Sequence, residues 1–219
     1  TATLRVEDGL ARVTLTAGPR GVDLRVDRAD GTPWFSSARD GSFVEVGVNP
    51  GGPSPTRAPD VRRLDPPGIA WTTPAEVIAV DEGRRSVTFA LGSAGPLTVS
   101  LTRVEDGVYR VDVDAAGRDA ALLRWNLSAD DGQYHGLGER FGEVNARGAV
   151  VPMQFGIDGR SDSGTNEHHV SVPFFVSTRA YGMFVETRQP GAFDVAASDP
   201  ARVSATFEGA RAAVYLFAA

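Results

Sequence analysis

Strand-period alternation recurs along this sequence and is interrupted, time after time, by an acidic residue followed by glycine. Val22, Leu24 and Val26 alternate with Asp23, Arg25 and Asp27; Leu97, Val99 and Leu101 form a second run; Tyr109, Val111 and Val113 alternate with Arg110, Asp112 and Asp114. An apolar side chain at every second position makes one dry face and one wet face, the pattern of a strand buried on one side. Reversal signals stand at Asp8-Gly9, Asp30-Gly31, Asp40-Gly41, Glu82-Gly83 and Asp106-Gly107, where glycine accepts the backbone angles that a tight turn requires. Short strands joined by such reversals predict an all-β fold, a large antiparallel β-sandwich, and not alternating βαβ units. No segment carries a convincing apolar stripe at helical period, so little helix is expected.

Two long irregular segments interrupt this pattern. The stretch Asn49 to Asp60, with Asp65-Pro-Pro-Gly68 after it, is rich in proline and glycine and can satisfy neither a helix nor a central ladder. It reads as a long loop within one sandwich, because treating it as a linker would leave the strands before it as unpaired edges. The second, Phe155 to His169, joins a strand-like Ala149 to Met153 to an apolar strand expected from Val170 to Val176. Asp158, Arg160, Asp162, Asn166, Glu167 and two adjacent histidines give it more hydrogen-bonding groups than a connector needs, and long polar loops on rigid sheets are where binding groups concentrate.

Composition excludes several classes of function. A net charge of −6 gives nothing to attract nucleic acid or an anionic membrane, so neither is expected as a partner. The absence of cysteine removes disulfides, thiolate nucleophiles and Cys-ligated metals together, and leaves the compartment open. No apolar run approaches the roughly 18 to 20 residues of a bilayer span. His168 and His169 adjoin Glu167 and Asp162, yet consecutive residues of a strand point to opposite faces and do not share one ion, so no metal and no cofactor is expected.

The specific part of the sequence begins at Tyr134-His-Gly-Leu-Gly-Glu-Arg-Phe-Gly142, continues with Asn145-Ala-Arg-Gly148, and ends with Val172-Pro-Phe-Phe-Val-Ser-Thr-Arg-Ala-Tyr-Gly182. Three glycines in seven residues, interleaved with Glu139, Arg140 and Phe141, describe a positioned loop with unusual backbone angles, a charged pair and an aromatic anchor. In that order and spacing the three motifs resemble the N-terminal domain of glycoside hydrolase family 31, the α-glucosidase and α-xylosidase group. The resemblance is carried by about the last 85 residues and by general β character before them. It implies a galactose-mutarotase-like supersandwich spanning residues 1–219 as one domain. It also implies an α-linked oligosaccharide or glycoside as substrate and a downstream (β/α)8 catalytic barrel as partner. The apolar ending Ala213 to Ala219 agrees with a handover to such a barrel, and an exposed apolar patch is expected there around Val214, Leu216 and Phe217.

Individual residues have more than one reading. Gly136, Gly138 and Gly148 read as backbone requirements, and Phe141 as core. Glu139 and Arg140 read either as an acid with its charge partner or as an ion pair pinning the glycine loop, and architecture is the better account. Arg147 is either a fork for hydroxyls or a turn-stabilising arginine. Asp158 is the substrate-binding candidate: the resemblance implies that a W-N-x-D-like element reaches over the barrel and touches a sugar hydroxyl. Here the letters are Phe155-Gly-Ile-Asp158, with the Asp kept and Trp and Asn replaced, and a carboxylate capping the Asp158-Gly159 turn is the competing reading. No catalytic residue is assigned to this chain, because the carboxylate pair of the implied retaining mechanism belongs to the barrel.

Two further functions make demands on particular residues. A stand-alone carbohydrate-binding module needs an aromatic platform, whereas Trp34, Trp71 and Trp125 are dispersed; true mutarotase catalysis needs a positioned acid and base, with only His135, His168 and His169 to draw on. Asn126-Leu-Ser128 matches a glycosylation acceptor, and the exclusive use of Arg among strong bases points to a bacterial source, which discounts it.

Overall fold

A computed structural model describes residues 1–39, 41–48, 69–92, 95–117, 119–140, 143–153 and 168–219, with Arg140, His168 and His169 described by their backbone. The strands in chain order are β1 (Ala2–Glu7), β2 (Ala11–Gly18), β3 (Gly21–Arg28), β4 (Pro33–Ser36), β5 (Val44–Val48), β6 (Ala70–Thr72), β7 (Glu76–Asp81), β8 (Ser86–Ala90), β9 (Pro96–Glu105) and β10 (Val108–Ala115). They continue as β11 (Ala120–Ser128), β12 (Tyr134–Gly136), β13 (Glu139–Arg140), β14 (Ala149–Pro152), β15 (His168–Val170), β16 (Phe174–Ser177), β17 (Tyr181–Glu186), β18 (Gly191–Val195), β19 (Arg202–Glu208) and β20 (Arg211–Ala218). The acidic-glycine pairs at Asp8-Gly9, Asp30-Gly31, Glu82-Gly83 and Asp106-Gly107 each lie at a reversal between successive strands.

Two sheets form the sandwich. One has eight strands in the order β12-β16-β17-β20-β10-β9-β8-β7, the other six in the order β14-β18-β19-β11-β5-β6. A four-stranded meander, β1-β2-β3-β4, forms a further sheet, and β13 pairs with β15 as a short ribbon. Every ladder is antiparallel, as the alternation predicts. Tyr109, Val111 and Val113 face inward from β10, with Leu101 opposite Val111 on β9 and Val214 opposite it on β20. The polar residues between them face out. Burying each large apolar side chain is worth about 1.5 to 3 kcal/mol, so a one-residue slip of any central strand would expose its whole set and is strongly disfavoured.

The sheets share one apolar core. Phe175 of β16 meets Phe193 of β18 edge to face at 6.1 Å, linking the two large sheets. Phe35 of β4 stacks on Tyr181 of β17 at 4.5 Å, linking the meander to the eight-stranded sheet.

Two sequence expectations are corrected by this packing, and the discounted glycan match at Asn126 receives its physical reason. Val214 and Leu216 are fully buried, because β20 lies between β17 and β10 and turns them into the core; Tyr215 and Phe217 face outward instead. The apolar run from Val170 to Val176 is two strands, since Ser171 to Pro173 leave the ladder before β16 begins. Proline there has no amide to donate, and only its carbonyl joins the sheet, accepting from the Val185 amide at 2.9 Å. Asn126 is wholly buried: its amide donates to the Ser42 carbonyl and to Glu45 at 2.9 Å each, and its oxygen accepts from the Ser204 hydroxyl. A side chain so placed is no glycan acceptor.

Candidate functional site

The three motifs, separated in sequence, are assembled at one edge of the sandwich. Tyr134 to Gly136 pair with Ser177 to Phe175, so the first motif is the edge strand beside the hairpin of the third. The Asn145 turn closes on the same strand: the Asn145 side-chain oxygen accepts the Tyr134 amide at 3.0 Å and the Arg147 amide at 3.1 Å. The Ala146 amide donates to the Tyr134 carbonyl at 2.8 Å, and the Gly148 amide crosses to Val195 of the six-stranded sheet at 2.7 Å. Asn145 thus works as an Asx turn that also caps a strand, a role the N-x-R-G pattern alone does not reveal.

The glycines are dictated by neighbouring backbone. Gly136 has φ of +112°, and a β-carbon there would sit 2.6 Å from the Phe174 carbonyl oxygen. Gly138, at φ +95°, would place one against the Val170 carbonyl and 2.9 Å from the Val172 amide nitrogen. Leu137 between them also has positive φ, +64°. That conformation costs a non-glycine residue roughly 1 to 2 kcal/mol. Full burial of the Leu137 side chain, worth about 1.5 to 3 kcal/mol, offsets it, and the Leu137 amide donates to Phe174 at 2.7 Å. Gly148 has φ of +83° with open space around it.

At the other end of β12 a polar network fixes the hairpin turn. The Tyr134 hydroxyl accepts the Asp130 amide at 3.0 Å and lies 3.4 Å from the Tyr181 hydroxyl. Burial pushes both phenols above their usual range, for Tyr181 with the added influence of Tyr134 and Asp130; both hydroxyls stay protonated at neutral pH. Ser177 donates to Asp130 at 3.1 Å, and Arg179 is paired with Asp131 through a guanidinium–carboxylate contact. Arg147 donates to the Asp130 carbonyl at 2.5 Å, with Gly132 also in range, and lies over the Tyr134 ring. Its fork is engaged by main-chain oxygens of the turn.

Glu139 is exposed on β13, opposite Val170 of β15. Phe141 and Asp158 lie outside the described residues, as do the proline- and glycine-rich segment and the second irregular segment apart from His168 and His169. The segment containing Asp158 leaves from β14, an edge of the six-stranded sheet, and returns through β15, paired with β13 beside the glycine motif. His168 and His169 are consecutive on β15, and His135 has its Nδ1 3.2 Å from the Val144 carbonyl. Among the described residues no three acidic or histidine side chains gather as a metal site.

The tryptophans do not form a platform. Trp125 is in the core, and Trp71 lies under the Arg124 guanidinium at 3.6 Å. Trp34 is held apart, its indole nitrogen donating to the Arg179 carbonyl at 2.9 Å.

Comparisons with known proteins agree with this arrangement. The family model for the glycosyl hydrolase 31 N-terminal galactose mutarotase-like domain matches residues 6–194. The α-xylosidase XylQ of Lactiplantibacillus pentosus is 31% identical over 159 residues, covering 68% of this chain and 20% of that protein. An α-xylosidase of Emericella nidulans is 28% identical over 122 residues, 55% of this chain and 14% of its own. The chain therefore spans a fifth or less of these relatives. Among solved structures, a GH31 family sulfoquinovosidase from E. rectale, in complex with an aza-sugar inhibitor, superposes with a TM-score of 0.58 at 14% identity, covering 94% of this chain and 32% of that one. The cycloalternan-forming enzyme of Listeria monocytogenes, solved with a pentasaccharide substrate, gives 0.55 at 13% identity over 98% and 28%. At these identities the likeness is one of fold.

Proposed function

Because this chain belongs to glycosyl hydrolase family 31, as its N-terminal galactose mutarotase-like domain, we propose that it serves as scaffold and substrate-loop domain of a retaining α-glycoside hydrolase. The substrate is an α-linked glycoside, and α-xylosides are the first to try, since both curated relatives are α-xylosidases. In retaining hydrolysis one carboxylate attacks the anomeric carbon and a second, about 5 to 5.5 Å away, protonates the leaving oxygen and later activates water. Those carboxylates are assigned to a (β/α)8 barrel following this domain in the same polypeptide.

The observation that carries the reading is the assembly of the three motifs into a rigid edge from which the Asp158 segment departs and to which it returns. Glycines forced by neighbouring carbonyls, the Asn145 turn and the hydrogen-bonded hairpin fix both anchor points of that segment. On this base Asp158 accepts a hydrogen bond from a substrate hydroxyl. Glu139 and Arg140 belong to the support of the loop.

The test compares these 219 residues alone with the full reading frame that encodes them, using aryl α-xylosides and α-glucosides. The short chain is expected to be inert and the full product active. In the full product, Asp158→Ala should lower kcat/KM roughly ten- to a hundredfold at unchanged melting temperature, the cost of a lost charged acceptor. Activity of the short chain surviving repurification would overturn the division of labour. Unchanged catalysis with lower stability would make Asp158 a turn residue.

A further inference from the structure

At the hairpin-turn end of β16, away from the glycine motif, the surface is indented by an open groove of about 600 Å³ between the meander and the turn after β11. Trp34 contributes aromatic surface above the buried Tyr181, and Arg25, Arg39, Asp130 and Asp199 contribute charge. Its volume falls in the range of small-molecule sites, roughly 300 to 1,000 Å³.

The lining is pre-organised. Trp34 is tied through its indole nitrogen to the Arg179 carbonyl and carries the Arg28 guanidinium 4.5 Å from its ring centre. Tyr181 is stacked on Phe35. Asp130 is oriented by the Gly132 amide at 2.6 Å and the Ser177 hydroxyl, Asp199 by the Ala201 amide at 2.9 Å, and Arg25 by Asp27 through two contacts of 2.8 Å. Groups already held by the fold lose little entropy when a ligand arrives. Arg25 is paired with Asp27 at 2.8 Å and Asp199 with Arg202 at 3.6 Å, so the lining presents no cluster of uncompensated like charge to select an ion. Aromatic surface for C–H faces, with donors and acceptors interspersed, suits an uncharged polyol.

We propose that this groove binds a short neutral oligosaccharide, making the sandwich a carbohydrate-binding element at its meander end. The ligand class rests on the glycoside reading above. Trp34 supplies the stacking surface, Arg39, exposed at the rim, donates to ring hydroxyls, and Asp130 and Asp199 accept from them.

Titration of the isotopically labelled chain with isomaltotriose, and separately with xylose, tests this by NMR. The Trp34 indole N–H signal, assigned by its loss in Trp34→Phe, should shift saturably, with Kd on the order of 1 mM. Arg39→Ala, a rim change that leaves the fold intact, and Trp34→Ala, followed by the backbone amides of Ser36 and Ala129 in the lining, should each weaken binding about fivefold or more. No saturable shift of Trp34 at roughly 20 mM of either sugar, equal affinity in both variants, or perturbation confined to residues 134–148 would overturn the groove. Hydrolysis by the full product with a silent groove removes this inference alone. A binding groove without hydrolysis removes the catalytic reading and leaves this one.

Discussion

The Tyr109 hydroxyl donates a 2.6 Å hydrogen bond to the Asp8 carboxylate, joining β10 of the eight-stranded sheet to the first turn of the meander. Asp8 also accepts the amides of Leu10, Ala11 and Gly107. Partial burial is the largest single influence on this carboxylate and pushes its pKa up. The Tyr109 hydroxyl and the three amides together outweigh it, leaving Asp8 at about 2 instead of 3.8. A depressed carboxylate stabilises the fold above its unfolded pKa and ceases to do so as pH falls through the folded value. The expected loss is roughly 1 kcal/mol between about pH 4 and pH 2, discounted for solvent screening. Urea unfolding of wild type and Asp8→Asn across that range measures it. A wild-type curve no steeper than that of the variant would contradict the assignment.

At neutral pH, Asp8→Ala removes four hydrogen bonds and should cost roughly 2 kcal/mol, whereas Tyr109→Phe removes the bond to Asp8 and a longer contact to the Ala11 carbonyl and should cost about 1 kcal/mol. Burial first, and the Asp8 hydrogen bond second, raise the Tyr109 phenol well above its ordinary range. Its contribution is therefore intact below about pH 10 and declines above it. A loss of stability above about pH 10 that is steeper in wild type than in Tyr109→Phe, which has no phenol to ionise, checks the sign.

Gly138→Ala should be much the more damaging of two glycine substitutions. It combines positive φ with collision against the Val170 backbone, for a loss of at least about 3 kcal/mol. Gly148→Ala meets open space and should lose only the conformational strain, about 1 kcal/mol. Thermal unfolding of both variants decides it, and equal shifts would remove the steric account of the motif.

Asn126 should carry no glycan when the chain is secreted from a eukaryotic host, because its side chain is buried and hydrogen-bonded. Intact-mass spectrometry is sufficient. Asn126→Ala should cost about 1 to 3 kcal/mol by stranding the Ser42 carbonyl and the Ser204 hydroxyl.

Leu216 and Phe217 are neighbours with opposite roles. Leu216→Ala opens a cavity in the core and should cost about 2 to 5 kcal/mol. Phe217 lies on the outer face, edge to face with Phe174 at 5.5 Å, and Phe217→Ala should cost less. Chemical unfolding that ranks them in the reverse order would place β20 in the wrong register.

The alternation of Tyr109, Val111 and Val113 against charged neighbours, and the acidic-glycine pairs, were sufficient to determine an antiparallel sandwich, because side-chain period and turn chemistry are local properties of the chain. The glycine motif was legible as a backbone requirement for the same reason. Tertiary structure alone decided what the requirement answers to: the carbonyls of Phe174 and Val170 stand where β-carbons of residues 136 and 138 would lie. It decided too that Arg147 holds main-chain oxygens, that Asn126 is a core residue and that β20 is central and not an exposed end. Each of these depends on partners 15 or more residues away, and no local pattern specifies which strand will lie beside which. Spacing fixes the face a residue takes on its own strand; what that face meets is set only when the sheets close on one another.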